Sequence, residues 1–389
     1  MMRICGKLCE TGDVVTLTVV EGRIAGIRAG AAEDAFGAPD VFLSPGFFDI
    51  QINGYGGHDF NIGLWGSADE ATHEFEPLFD SLARAGTALS CPTIITNSFE
   101  AMSSALKSLS AALDGNRKMA RSVPGLHVEG PYLSSEDGPR GAHPLEHIRN
   151  PDWEEFQRLQ QAAGGRIKLV TLAPERDGAL AFIEKLAVSG VAVALGHTAA
   201  SPETIREAVL AGARMATHLG NGAHSQIRRH PNYIWEQLAH DELYASIIAD
   251  GHHLPASVVK SFARVKGPER LALVSDAVAL GGLPPGIYTE GQHEVLPSGK
   301  IVLAGTPYLA GAGHLLDTCL ANMIRFSDFT VAQATRSAST IPARILGLEA
   351  HKGRLQVGYD ADITLFRIPD AGPLEVVATI CGGEVLYKA

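Results

Sequence analysis

The chain is poor in the features that mark secreted, membrane-spanning and nucleic-acid-binding proteins. Its 389 residues hold five cysteines (Cys5, Cys9, Cys91, Cys319 and Cys381), odd in number and scattered, with no C-x-x-C pair. That excludes a disulfide framework and makes a reducing cytoplasm the expected location. No apolar run reaches the roughly 18 residues of a membrane span. The opening stretch Met1 to Lys7 has no extended apolar core, so no signal peptide is expected. Basic residues are in deficit: 32 Lys and Arg stand against 43 Asp and Glu, for a formal net charge of −11. Such a surface argues against nucleic-acid binding, and an anionic substrate would need a local basic island. Internal repeats and low-complexity segments are absent as well.

What the sequence does hold is a long alternation of apolar runs and amphipathic stretches. With 46% hydrophobic residues, it has material for one large barrel and a small accessory domain. Residues 1–46 read as short strands, including Val14–Val20 and, after the Glu21-Gly22 turn, Arg23–Arg28. Eight strand-like runs follow: Phe42–Ile52, Thr87–Thr96, Val123–Glu129, Ile167–Leu172, Val191–Gly196, Arg214–His218, Tyr244–Ala249 and Leu271–Asp276. Helical patterns lie between them at Glu100–Leu113, Pro151–Ala163 and Gly178–Ser189, and from Ser201-Pro202 onward. This is the pattern of an α/β protein built as a (β/α)8 TIM barrel. A Gly/Pro-rich insert and helices near His314–Phe326 and Thr330–Leu346 come next, and strand returns at Ile363–Phe366 and Val376–Ile380. The expected organisation is a barrel over residues 47–346 and a small β-sandwich domain built from both termini, residues 1–46 and 347–389.

Four of the apolar runs end on a group with chemistry: Glu129, His197, His218 and Asp276. In a parallel barrel the carboxyl ends of the strands share one mouth, where active sites form. Each group alone has a bland reading, a hydrogen-bonded structural His or a capping Asp. Four of them in chain order on barrel strands outweigh it. One carboxylate and two imidazoles suit a divalent ion of the zinc class, with iron or cobalt as alternatives on ligand type. Asp276 beside them is the candidate general base. Arg228, Arg229 and His230, with His252 and His253, supply the basic island an anion would need.

Several stretches resemble the amidohydrolase superfamily and, within it, the N-acetylglucosamine-6-phosphate deacetylases. They are Ser44–Gly54, Gly125–Leu133, Leu195–Thr198, Ala216–Leu219, Ile248–Gly251, Val274–Ala277, Pro342–Gly347 and Gly358–Asp362. The resemblance covers nearly the whole chain. It implies that Glu129, His197 and His218 are metal ligands, that Asp276 is the base, and that His143 contacts the substrate near the scissile amide. Many metal-dependent barrel hydrolases carry His-x-His on the first strand; here Gln51-Ile52-Asn53 stands there, a variant typical of one-metal deacetylases in this family. No bridging Lys is apparent, since Lys168 precedes the apolar part of its run. One ion per chain is therefore expected. The family's phosphate pocket maps onto the backbone amides of Asn221 and Gly222, onto His253, and onto Arg229 from a neighbouring subunit, which implies a homodimer. The loop Gly220–Ser225 and Ala312 depart from the family pattern.

The expected activity is metal-dependent removal of the N-acetyl group from an amino-sugar phosphate. Alternatives are the same chemistry on a different or unphosphorylated N-acyl substrate, a cyclic-amide hydrolase, and a catalytically silent binding protein.

Overall fold

A computed structural model describes residues 1–61 and 68–389. At its centre is an eight-stranded parallel sheet made of Phe47–Ile52, Thr87–Ile95, Leu126–Glu129, Ile167–Leu172, Ala192–Leu195, Met215–Ala216, Tyr244–Ile247 and Leu271–Leu273. Each strand pairs with the next in chain order. Both faces are covered, so these strands read as nearly continuous apolar runs; all six residues of Phe47–Ile52 are buried. The sheet closes just past its strand ends. Asp276 N–H donates to Gln51 O (2.9 Å), and Asn53 N–H donates to Ala277 O (2.9 Å).

Helices pack around this sheet, and polar residues set their starts. Ser98 caps Phe99–Gly115 by accepting from Ala101 N–H, and Asp152 caps Trp153–Ala162 by accepting from Glu155 N–H. Pro151 thus lies outside the helix it was expected to open. Ser201 caps Pro202–Leu210, with Pro202 in the first turn as expected. The stretch Thr330–Leu346 is two helices, Val331–Ser337 and Thr340–Ile345, separated at Ala338 and Ser339. Four helices join the expected set: Ala68–Arg84, Arg117–Ser122, Tyr233–Ala239 and Ala256–Lys266. The insert after Asp276 forms a three-stranded antiparallel sheet, Gly286–Tyr288, His293–Val295 and Ile301–Leu303.

Both termini share a separate seven-stranded sheet, ordered Glu384–Lys388, Glu375–Cys381, Ile363–Arg367, Phe36–Pro45, Met2–Leu8, Val14–Val20 and Arg23–Ala29. It curls over itself: Ile24 N–H donates to Tyr359 O, and Ala361 N–H to Gly22 O. The two halves enclose one apolar core that includes Ile4, Leu17, Ile24, Leu43, Ile363 and Ile380, giving the expected sandwich. The single run Phe42–Ile52 divides at Gly46. Its first part joins the accessory sheet and its second opens the barrel. A Cβ at Gly46 would lie 2.5 Å from that of Ala88, so the chain crosses between the two sheets where only glycine fits.

Candidate active site

The expected site residues lie at the barrel mouth, most of them past the strand ends. The strands stop at Leu195, Ala216 and Leu273, and two or three residues on, His197, His218 and Asp276 adopt positive φ angles of 51°, 29° and 48°. They are half of the six described non-glycine residues with positive φ. Such backbone costs roughly 1–3 kcal/mol per residue and concentrates at functional sites. Glu129 ends its strand directly. Gly130 follows at φ 83°, and any Cβ there would overlap Thr96 Oγ1.

Three side chains converge. His218 Nε2 lies 3.0 Å from Glu129 Oε1 and 3.0 Å from His197 Nε2, and His197 Nε2 lies 3.3 Å from Glu129 Oε1. All three residues are buried. His197 Nδ1 lies 2.8 Å from Pro139 O. A carbonyl only accepts, so Nδ1 carries the proton and the Nε2 lone pair faces the cluster. His143 is the fourth member: its Nε2 is 3.3 Å from His197 Nε2. Donor atoms of Glu129, His143 and His197 all fall within 4.8 Å of one another. This donor set can hold a divalent metal ion.

Asp276 sits beside the cluster. Its Oδ1 accepts from Asn53 Nδ2 (2.8 Å) and Gln51 Nε2 (3.2 Å), and the same Gln51 amide donates to Glu129 Oε1 (2.9 Å). Gln51, noted in the sequence with Asn53 only as standing where other barrel hydrolases carry His-x-His, thus joins the two carboxylates, and Asn53 supports Asp276 alone. The signal was their spacing: Asp49, Gln51 and Asn53 alternate along the first barrel strand and the residue after its end.

Beneath the cluster runs a polar layer that sequence reasoning did not single out. His127 Nε2 lies 2.8 Å from Thr171 Oγ1, which lies 2.8 Å from Thr217 Oγ1. Burial pushes the His127 imidazole down to about 4, so it is neutral at pH 7. His127 and Thr217 lie two residues before Glu129 and one before His218 in the chain, and Thr171 links them across the strands between.

Charge in the mouth is unbalanced. Burial opposes ionisation of Glu129, but hydrogen bonds to His197 and His218 outweigh it and hold the carboxyl well below its usual range. Burial likewise opposes a charge on His218, yet the bond to Glu129 and the charges of Glu129 and Asp276 raise its pKa. Burial, with the charge of Glu129, pushes Asp276 up to about 6. Burial and the neighbouring His197 push His143 down to about 3. The mouth therefore attracts positive charge, whether a proton or a metal ion.

Of the anion-binding candidates, Asn221, Gly222 and His253 lie beside this centre. Asn221 Nδ2 donates to His218 O. A Cβ on Gly222 would approach the His197 ring to 2.7 Å, so this loop lies against the imidazole. His253 Nδ1 lies 2.8 Å from Asp250 Oδ2, and Asp250 Oδ1 also accepts from the backbone N–H of His252 and His253. Arg229 is exposed and forms no ion pair with a described residue.

Residues 42–386 match the model of the amidohydrolase family. The chain belongs to this family. It is 35% identical over 355 residues to N-acetylglucosamine-6-phosphate deacetylase of Bos taurus, covering 89% of this chain and 83% of that one. To the Bacillus subtilis (strain 168) enzyme of the same name it is 32% identical over 350 residues, covering 90% and 85%. Among solved structures, an N-acetyl-D-glucosamine-6-phosphate deacetylase mutant from Mycobacterium smegmatis, in complex with N-acetyl-D-glucosamine-6-phosphate, superposes with a TM-score of 0.85 at 28% identity over 99% of both chains. As an amidohydrolase, the chain has a metal-dependent family setting for its buried carboxylate and imidazoles.

Proposed function

We propose that this amidohydrolase cleaves N-acetylglucosamine 6-phosphate to glucosamine 6-phosphate and acetate. The observation that carries the reading is the convergence of Glu129, His197 and His218 within 3.3 Å of one another, with Asp276 bound through Gln51 to the same carboxylate. Glu129, His197 and His218 would hold one divalent ion, zinc first, with iron or cobalt as alternatives. When bound, such an ion acidifies water and polarises the amide carbonyl. Asp276 takes the proton of the attacking water and passes it to the amine as the C–N bond breaks. Its Oδ1 is occupied by the Gln51 and Asn53 amides, which leaves Oδ2 for the proton. A carboxyl raised to about 6 suits both halves of that transfer. His143 donates to the carbonyl oxygen as charge develops there.

The phosphate is taken by the backbone amide of Gly222, by His253, and by Arg229 of a second copy in a homodimer; the Asn221 N–H, expected there too, already donates to His218 O (3.0 Å). The enzyme works in the cytoplasm. Its catalytic barrel spans residues 47–346, and residues 1–46 and 347–389 form the sandwich. A second reading, an unphosphorylated acetamido sugar, is favoured by the loop Gly220–Ser225, whose sequence departs from the family pattern.

The test is acetate release by the purified protein from phosphorylated and free N-acetylglucosamine and N-acetylgalactosamine, with elemental analysis alongside. The expected result is one ion per chain and a preference for the 6-phosphate of the glucosamine sugar. Two tightly held ions would overturn the metal count, and a preference for a free sugar would overturn the phosphate.

A further inference from the structure

Away from the mouth, the second barrel strand carries an irregularity with a chemical consequence. Phe47 pairs with Thr87 but Phe48 pairs with Leu89, so Ala88 is an extra residue in Thr87–Ile95, a β-bulge. In a regular strand, residues three apart point to opposite faces. The bulge reverses that parity, and Thr87 and Ser90 line one and the same cavity, of about 190 Å³. Phe79 and Leu82 of the helix Ala68–Arg84 wall it on one side. Met119 and Leu386, the latter from the last strand of the accessory sheet, wall it on the other.

The floor is polar and unmatched. Thr87 and Ser90 are 3% and 1% exposed, and neither hydroxyl has a hydrogen-bond partner among the described residues. A buried hydroxyl without a partner is costly, and bulges re-aim side chains at sites of use. The rim holds Glu76, Asp80 and Lys118. Lys118 lies 3.5 Å from Asp80, and Glu76 accepts from Asn116. The entrance thus keeps one net negative charge, which repels anions such as a sugar phosphate.

We infer that this cavity is a second binding site, for a neutral molecule with an apolar ring or short chain and one hydroxyl. Size sets the scale: a cavity of about 150 Å³ takes benzene, so this one takes roughly seven heavy atoms, as in a phenol. A ligand hydroxyl both donates and accepts, which matches the two protein hydroxyls on the floor. The apolar body lies against Phe79, Leu82 and Met119.

The test uses the full chain with ¹³C-methyl methionine, the Met119 signal being assigned through Met119→Leu. Phenol should shift the Met119 methyl in a saturable titration, and toluene, its apolar counterpart, should bind more weakly. In the double variant Thr87→Val, Ser90→Ala, phenol should lose about tenfold in affinity while toluene binds as well or better, which reports that the cavity is intact. Ala83→Met, which fills the space, should abolish both shifts. The inference is overturned if Met119 does not respond to phenol, if phenol and toluene bind alike in both proteins, or if Ala83→Met leaves the phenol response unchanged. In the first case the two hydroxyls are served by water alone.

Discussion

The barrel mouth and the seam between barrel and accessory sheet both bury carboxylates, and they balance the charge in opposite ways. At the seam, Lys352 lies 2.9 Å from Asp362 and 3.0 Å from Asp360. Burial works against its ammonium, but the two carboxylates outweigh it and hold Lys352 above its ordinary value. The charge is settled within the chain. At the mouth, Glu129 and Asp276 share the Gln51 amide, and neither is bonded to a Lys or Arg among the described residues. Compensation there comes from a proton on His218 or from a ligand. An incomplete charge balance, rather than charge burial itself, separates the site from the scaffold.

Substitutions on each side sharpen that contrast. The largest effect is expected at Asp276→Asn, which should keep the fold and one ion per chain yet lose about 10²–10⁴-fold in turnover. Near-normal turnover with the ion retained would remove Asp276 from the reaction. At the seam, Lys352→Met leaves the buried carboxylate of Asp362 without a cation, beside the half-buried Asp360, which keeps Arg23 at 3.8 Å. Unfolding in urea should show a loss of about 3–5 kcal/mol, with turnover of the folded protein unchanged. A fall in turnover under folding conditions would break the distinction between the two regions.

Asp49 tests whether burial without a cationic partner produces a different response. It is fully buried on the first barrel strand, and one of its oxygens has no partner among the described residues. Burial pushes its carboxyl up to about 7, against hydrogen bonds from Ser275 and Gln51 that favour the charge. A folded pKa above the unfolded one means stability that is present below about pH 4 and lost as pH rises to 7. The loss is on the order of 4 kcal/mol across that window. Asp49→Asn should remove this slope, so the variant gains on wild type between pH 4.5 and pH 8 in urea titrations. A constant difference between the two proteins would show that Asp49 is ionised throughout. The smallest effect is expected at Arg229→Ala. A charge-assisted phosphate contact is worth about 1.5–3 kcal/mol, so kcat/KM should fall roughly tenfold to a hundredfold on a 6-phosphorylated sugar and hardly at all on a free one. Equal losses on both would reject the phosphate contact.

The barrel was legible because its strands are apolar on both faces, and every one of the eight runs became a strand of the central sheet. The helix Ala68–Arg84 was not recognised, although Ala71, Phe75, Leu78 and Leu82 are buried at helical spacing. Its acidic residues and internal Pro77 obscure that stripe. In Ala256–Lys266 the inward row includes Lys266, whose ammonium donates to His240 O and Leu243 O; a Lys reads as surface until its carbonyl partners are known. In the mouth, the structure brings together Glu129, His143, His197, His218 and Asp276, all singled out in the sequence. The roles of Gln51 and Asn53 were not legible, because only barrel closure brings residue 51 against residue 276.

That closure also orders events during synthesis. Strand Phe36–Pro45 leaves the ribosome early, yet Ser44 and its bonding partner Thr364 are 320 residues apart. Its open edge must survive while the whole barrel is made, the kind of waiting edge that invites wrong pairings. Meanwhile Glu129, His197 and His218 emerge before Asp276. A nascent chain therefore holds Glu129, His197 and His218 before Asp276, and the Gln51 amide that joins Glu129 to Asp276 has only one of its two carboxylates until the last barrel strand is made.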